Sequence, residues 1–293
     1  DGKGYVRAFD DALREMKDAH RIASAAGRPY IVRAVTAIHG ESDHYDKSFP
    51  LDGTDGTPGA IQNYADALVE WQRDYEEAAR AETKQKEHVP LLISQMANWN
   101  DRPGSDIPGM QLEAHERAPG KVVLIGPTYM LPFANDCIHY TSEGERRLGE
   151  YFAKAYTKIV LDRGTWEPLR PTSVTISDAT ITVRFKVPSP PLVLDTEQVT
   201  DPGAYGFDYV DDGPDTPTIQ SVDLAGDDAI AITLSAPPTA GNRHLRYALR
   251  ATPQTCPGPK TGPRGNLRDS DATPSQDGSD LANWAVAFDA TIP

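Results

Sequence analysis

The order of apolar and polar positions divides the chain into two textures. Val6, Phe9, Leu13, Met16 and Ile22 recur at three- to six-residue steps, which predicts an amphipathic helix over about Tyr5 to Ala26, stopped by Gly27 and Pro29. Tyr30 to Ile38 is a short apolar run, the pattern of a strand covered on both faces. A polar, glycine-rich loop follows from His39 to Gly59. Ile61, Tyr64, Leu68, Trp71 and Tyr75 then mark a second helix that ends in charge near Lys86. Leu91 to Ile93 predicts a second buried strand, Met110 to Ala118 a helix, and Val122 to Ile125 a third strand. A loop through Pro127 to Tyr140 leads into a last helix with Leu148, Tyr151, Phe152, Ala155 and Ile159 on one face. Alternation of this kind predicts a parallel sheet with helices on both faces. Three strands are fewer than the roughly five of a flavodoxin-like domain, so strands are expected to be missing ahead of the first helix.

Beyond Arg163 the texture changes, and 16 of the 25 prolines lie from Pro168 onward. Val174 to Ser177, Ala179 to Phe185, Ala229 to Leu234 and Leu245 to Arg250 alternate with period two between Gly, Pro and Asp turns. Together they predict a small all-β sandwich, closed by a final strand at Trp284 to Phe288. The expected division is an α/β domain over 1–164 and the β domain over 168–293. The stretch from Thr255 to Asp280 is rich in Gly, Pro, Ser and Asp and is expected to be a long loop folded back on the catalytic side.

Composition narrows the function classes. The 293 residues carry 43 acidic and 29 basic side chains, a formal charge of −14, which repels nucleic-acid backbones and anionic lipid. No apolar run approaches the ~20 residues that span a bilayer, so neither nucleic acid nor membrane is an expected partner. Two cysteines, Cys137 and Cys256, are too few for a disulfide scaffold or a cysteine-based zinc site, and whether they pair is left open. The chain starts at Asp1 without Met, and removal of an upstream segment is an expectation.

Two loops follow predicted strands at their carboxyl ends, where open α/β sheets bind ligands. The first is His39-Gly40-Glu41-Ser42-Asp43, and the second holds Asp136-Cys137-Ile138-His139 ahead of Thr141-Ser142-Glu143-Gly144. A carboxylate three residues before a histidine can accept its Nδ1–H and leave Nε2 free to take a proton from a nucleophile. Gly40 can bring a backbone N–H close to a developing oxyanion. A helix-capping loop is the plain alternative for the second segment, because Thr141 or Ser142 can cap whatever His139 does.

Together, in this order, the segments resemble the SGNH (GDSL-type) hydrolases, and within them the sialate O-acetylesterase-like carbohydrate esterases. Val35-Thr-Ala-Ile-His-Gly-Glu-Ser-Asp43 is similar to that group's third conserved block, and Asp136-Cys-Ile-His139-Tyr-Thr-Ser-Glu-Gly144 to its fifth. The resemblance covers residues 1–163 and implies a flavodoxin-like three-layer α/β/α hydrolase domain. It implies His139 as general base, Asp136 as its orienting carboxylate and Gly40 as an oxyanion-hole donor. Glu41 or Ser42 would take the place of a polar oxyanion or orienting side chain, and His39 the place where relatives have Gln. The expected activity is that of a secreted serine esterase removing acetyl or other short acyl groups from a carbohydrate, with no metal or organic cofactor required.

The chain departs from that group in lacking the nucleophile block, a Gly-Asp-Ser or Gly-Gln-Ser at the end of a first strand. Ser24 falls inside a helix pattern, Ser42 in the wrong block and Ser270 in the β domain. The nucleophilic serine is therefore expected on an N-terminal fragment or partner chain. The rivals are a carbohydrate-binding or assembly protein on a decayed esterase fold, and an esterase of lipid or polymer esters.

Other positions are given plainer roles. Asp52 to Gly56 is read as an Asp/Gly turn rather than a calcium loop. Trp99 is read as lining a sugar pocket or as half-buried under a loop. His20, His88 and His115 are expected to be solvated, and Arg268 to pair with an aspartate within its loop. Cys137 is expected to point away from His139 Nε2.

Overall fold

The computed structural model describes residues 8–44, 48–99, 104–250 and 255–293. It is a mixed α/β structure. Four helices, α1 (Ala8–Ala25), α2 (Tyr64–Thr83), α3 (Ile107–Arg117) and α4 (Ser142–Tyr156), alternate with strands β1 (Val35–Ala37), β2 (Leu91–Gln95) and β3 (Val122–Pro127). The strands form a parallel sheet in the order β1-β2-β3. All five residues of β2 are buried, the apolar run Leu91 to Ile93 and also the polar Ser94 and Gln95, as expected of a strand covered on both faces. Helix α4 continues into one π-helical turn over Thr157–Leu161.

β1 is shorter than the apolar run from Tyr30 predicts. The amide of Gln85 accepts a hydrogen bond from Val32 N (2.9 Å) and donates one to Val32 O (2.9 Å). A side chain thus stands where a neighbouring strand would satisfy that backbone, and regular pairing starts only at Val35. α1 follows its predicted span from Ala8 onward, the first residues of that span lying outside the described residues. None of its described residues is buried; it meets α2 through an edge contact of Phe9 with Tyr75 and a hydrogen bond of His20 Nδ1 to Glu82 at 2.9 Å. His20 is therefore half-buried and partnered rather than freely solvated.

The second half is antiparallel. Strands β4 (Arg170–Ser177), β5 (Thr180–Lys186), β6 (Val193–Leu194), β7 (Phe207–Val210), β8 (Ile219–Leu224), β9 (Ala229–Leu234), β10 (His244–Tyr247), β11 (Leu267–Arg268) and β12 (Phe288–Thr291) follow in chain order. They pair as a four-stranded sheet β4-β5-β9-β8, a three-stranded sheet β12-β10-β7 and a two-stranded ribbon β11-β6. The last strand begins at Phe288, where the sequence placed one from Trp284. Residues 284–287 are buried but irregular, because their N–H groups reach different partners: Ala285 N donates to Leu267 O, Val286 N to Leu169 O and Ala287 N to Gln95 Oε1. The apolar core is one cluster from Ala37 to Ile292, so both halves share it. Polar ties cross it as well: Tyr129 Oη donates to Ala285 O (2.7 Å) and Tyr151 Oη to Ala282 O (3.0 Å).

Several plain readings meet definite positions. Asp52 and Asp55 accept backbone N–H groups from Gly59 and Thr57, which is turn chemistry. Arg268 pairs with Asp195 at 2.7 Å, outside its own loop. His115 is not solvated; it is 3% exposed, with Nδ1 3.1 Å from Val122 O. His88 is exposed and lies 3.1 Å from Glu76. Trp99 has no exposure at all and is part of the core rather than the wall of an open pocket. Among the described residues no helix is long and apolar enough to cross a membrane.

Candidate active site

The carboxyl ends of β1, β2 and β3 carry the residues that could perform chemistry. After β3, the segment Thr128 to Tyr140 turns back on itself: Ala134 N donates to His139 O (2.7 Å) and Cys137 N to Ala134 O (3.0 Å). Asp136 uses its two oxygens differently. Oδ1 accepts the backbone N–H groups of Ile138 and His139, both at 3.0 Å, and Oδ2 accepts from His139 Nδ1 at 2.7 Å. With Nδ1 so held, Nε2 is left as the outward nitrogen able to take a proton. The hydrogen bonds pull the Asp136 carboxyl down to about 2, and the bond to Asp136 raises the His139 imidazole above its ordinary value. Glu145 and Glu41 add to that rise through their charge. The dyad is open to solvent, His139 being 76% and Asp136 49% exposed.

The glycine loop lies within electrostatic reach of this pair. Burial raises the Glu41 carboxyl, and His139 is among the cations that partly offset the rise. Gly40 has φ +125°. A Cβ there would stand 2.8 Å from Ile107 Cγ2, 3.0 Å from Met96 Sδ and 3.1 Å from Gln111 Nε2, so both the conformation and the space demand glycine. His39 is directed to α2, its Nδ1 lying 3.0 Å from Tyr64 Oη and 3.4 Å from Asp43. Ser42 is exposed in the turn. The structure thus brings together Asp136 and His139 by hydrogen bond and Glu41 by charge, while His39 is engaged with Tyr64 and Asp43.

Two positioning groups, Gln111 and Asn98, were not singled out from sequence, whereas Gly144 belongs to the motif read there. Buried Gln111 accepts from Met96 N (2.9 Å) and donates to His39 O (2.8 Å), which ties the glycine loop to the end of β2. Asn98 donates to Ile138 O (3.2 Å) and ties the dyad loop to the same strand end. Gly144 follows Thr141, whose Oγ1 caps α4 by accepting from Gly144 N at 3.1 Å. A Cβ at Gly144 would stand 2.5 Å from Pro132 O, so the glycine of that motif is needed for packing behind the dyad. Cys137 and Cys256 are joined in a disulfide, which removes Cys137 from consideration as a nucleophile and brings the start of the long Thr255 to Asp280 loop to the dyad.

No family model matches the chain, and none of the curated proteins matches it in sequence. Among solved structures, the fold is similar to that of a carbohydrate acetylesterase from Xanthomonas citri, at TM-score 0.54 and 16% identity. That match covers 88% of this chain and 50% of the other, so the chain spans about half the length of the protein it resembles. At this identity the likeness is one of fold: a mixed α/β fold like that of a carbohydrate esterase. A further match, to the N-terminal part of a bacterial S-layer protein, covers 68% of this chain and 36% of the other at 11% identity, with a TM-score of only 0.23.

Proposed function

We propose that the chain is part of an SGNH-type serine esterase that removes acetyl or other short acyl groups from a carbohydrate. In this reading residues 1–164 belong to a three-layer α/β/α hydrolase domain, and 168–293 form a β sandwich packed on it. The single observation that carries the reading is the 2.7 Å contact of His139 Nδ1 with Asp136, on the loop beyond β3.

The chemistry follows from those positions. A serine Oγ attacks the ester carbonyl carbon while His139 Nε2 takes its proton, and Asp136 holds the imidazolium that forms. The tetrahedral oxyanion is met by the backbone N–H of Gly40. Collapse breaks the bond to the sugar oxygen, which receives the proton from His139. Water then adds to the acyl-serine with His139 again as base, and acid and free serine are released.

The chain lacks the Gly-Asp-Ser or Gly-Gln-Ser block of that group, so the serine is assigned to polypeptide outside this chain. Two features favour this. The outer edge of β1 pairs with no strand among the described residues. Beside it, Thr36, Ala37 and Ile38 line an open groove with Leu148, Gly149 and Phe152 of α4, the setting for an added strand. The disulfide supports an oxidising, extracytoplasmic location.

The test uses p-nitrophenyl acetate and a fluorophosphonate probe. The 293-residue chain alone should neither hydrolyse the ester above buffer nor take the label. The complete protein should do both, and His139→Ala should abolish both. Turnover by the isolated chain, or full activity of His139→Ala in the complete protein, refutes the assignment.

A further inference from the structure

The dyad is unusual in being held by so little packing. Asp136 and His139 stand on a loop that is largely exposed, so water competes with the loop's internal hydrogen bonds and their geometry needs support from outside the turn. Two ties to other parts of the molecule supply its placement. One is the hydrogen bond from Asn98 to Ile138 O. The other is the Cys137–Cys256 disulfide, whose first cysteine lies between the two dyad residues.

The far end of that bridge is anchored firmly. Cys256 opens a segment containing Pro257, Pro259 and Pro263. The Cys256 carbonyl accepts from Thr261 Oγ1 (2.6 Å), and Pro259 O accepts from Thr200 N (2.8 Å). Arg264 Nε in turn donates to Thr200 O (2.8 Å). Pro257, Gly258, Gly262 and Pro263 are buried. Gly262, at φ +72°, leaves only 2.7 Å from a would-be Cβ to Pro257 Cα, so the segment folds tightly on itself. Gly258 stands against Leu131 O and Phe133 on the strand-exit side of the dyad loop.

From this we infer that the Cys137–Cys256 disulfide is a positioning element for the general base: the β half, through its proline-rich 256–264 segment, sets where the Asp136–His139 pair stands relative to the glycine loop. The inference rests on the hydrolase reading for its kinetic consequence, but not for its structural one. With the bridge open, Cys137 can leave its place, the turn over 134–139 loses its covalent anchor, and the Asp136–His139 geometry is sampled only part of the time. A 1 Å displacement at such a site costs on the order of 10²-fold in rate without removing any group that binds the substrate.

Two measurements test this separately. The first follows the His139 imidazole by NMR titration in the 293-residue chain, in which Asp136, Glu41 and Glu145 are the charges facing it. Opening the bridge, by Cys137→Ser/Cys256→Ser or by reducing the folded chain, should lower the His139 midpoint by about half a pH unit or more. The other resolved histidines should be unmoved. The second measures the complete protein, where kcat should fall about 10- to 100-fold with KM changed less than about threefold. Reoxidation of the reduced protein should restore both readouts. Should the double variant fail to fold, reduction of the native chain supplies the same comparison. An unchanged His139 midpoint in the reduced, folded chain overturns the inference. Should His139→Ala prove active, the hydrolase reading fails on its own, and the titration still decides whether the bridge places the pair.

Discussion

Replacing Gly40 by alanine separates a turn required by the fold from one that merely tolerates glycine. The residue sits at φ +125°, where an L side chain is strained by about 1–3 kcal/mol. Its new Cβ would also stand 2.8 Å from Ile107 Cγ2 and 3.0 Å from Met96 Sδ. Both partners belong to the core cluster and have little freedom to withdraw, so overpacking adds about 1–3 kcal/mol. The two penalties share the same atoms and relax together, which gives about 2–5 kcal/mol in all. Urea unfolding of the 293-residue chain, followed by tryptophan fluorescence, should show the midpoint lowered by roughly 1 M for a slope near 3 kcal/mol/M. Gly109→Ala is the matched control. It lies in α3 with nothing within 4 Å of the new Cβ, and should leave the midpoint unchanged or raise stability by up to about 1 kcal/mol. A Gly40→Ala midpoint equal to that of the parent would refute the argument, because it would mean that the loop beyond β1 yields freely and cannot hold an N–H in place for an oxyanion.

Two further outcomes follow from the dyad and the core. His139 binds its proton more tightly than a free imidazole of 6.5, so the pair contributes stability that is full below 6.5 and lost as pH rises through the folded value. Asp136 is lowered from 3.8 to about 2, so its contribution is present above 3.8 and lost as pH falls towards 2. The acid limb of kcat/KM in the complete protein should accordingly lie above 6.5, and Asp136→Asn should move it down while lowering kcat; a limb that does not move would remove Asp136 from the base's environment. Gln95 is buried, accepts from Ala287 N (2.7 Å) and donates to Pro108 O and Ala287 O, both at 2.9 Å. Gln95→Leu should cost about 3–5 kcal/mol in chemical denaturation, and a loss below about 1 kcal/mol would show that those groups find other partners.

What could be read in the sequence was what is local in the chain. β2 and β3 announce themselves through the apolar runs Leu91 to Ile93 and Val122 to Ile125, and α4 because Leu148, Tyr151 and Ala155 repeat with the helical period. The Asp136–His139 contact was legible for the same reason, its partners lying three residues apart on one turn. Interactions across long separations were not. Gln85 replaces a strand neighbour for Val32 over 53 residues, and Gln95 holds Ala287 over 192. No periodicity signals that a glutamine amide will stand in for backbone. Gly144 could be recognised as part of a motif, but the reason for it, the approach of Pro132 O, exists only once the loop is folded.

The distribution of those long-range ties bears on how the two halves divide the work. Tyr129, Tyr151, Lys154 and Gln95 all bond the buried, irregular stretch between Leu281 and Ala287, and Trp166 Nε1 donates to Leu124 O of β3. An irregular buried backbone is stable only where each of its polar groups finds a specific partner, and here the partners of the Leu281, Ala282, Ala285 and Ala287 carbonyls come from the α/β half. The β strands therefore cannot be a passive appendage joined by a tether. They complete the core under the parallel sheet, and through Cys256 they reach around to the loop of Asp136 and His139. On the proposed hydrolase reading, a general base that stands in solvent has no cavity walls to orient it, so its geometry must be supplied through the chain. In this protein that supply runs from the β half, through a proline-stiffened segment and one covalent bridge, to the residue between the acid and the imidazole.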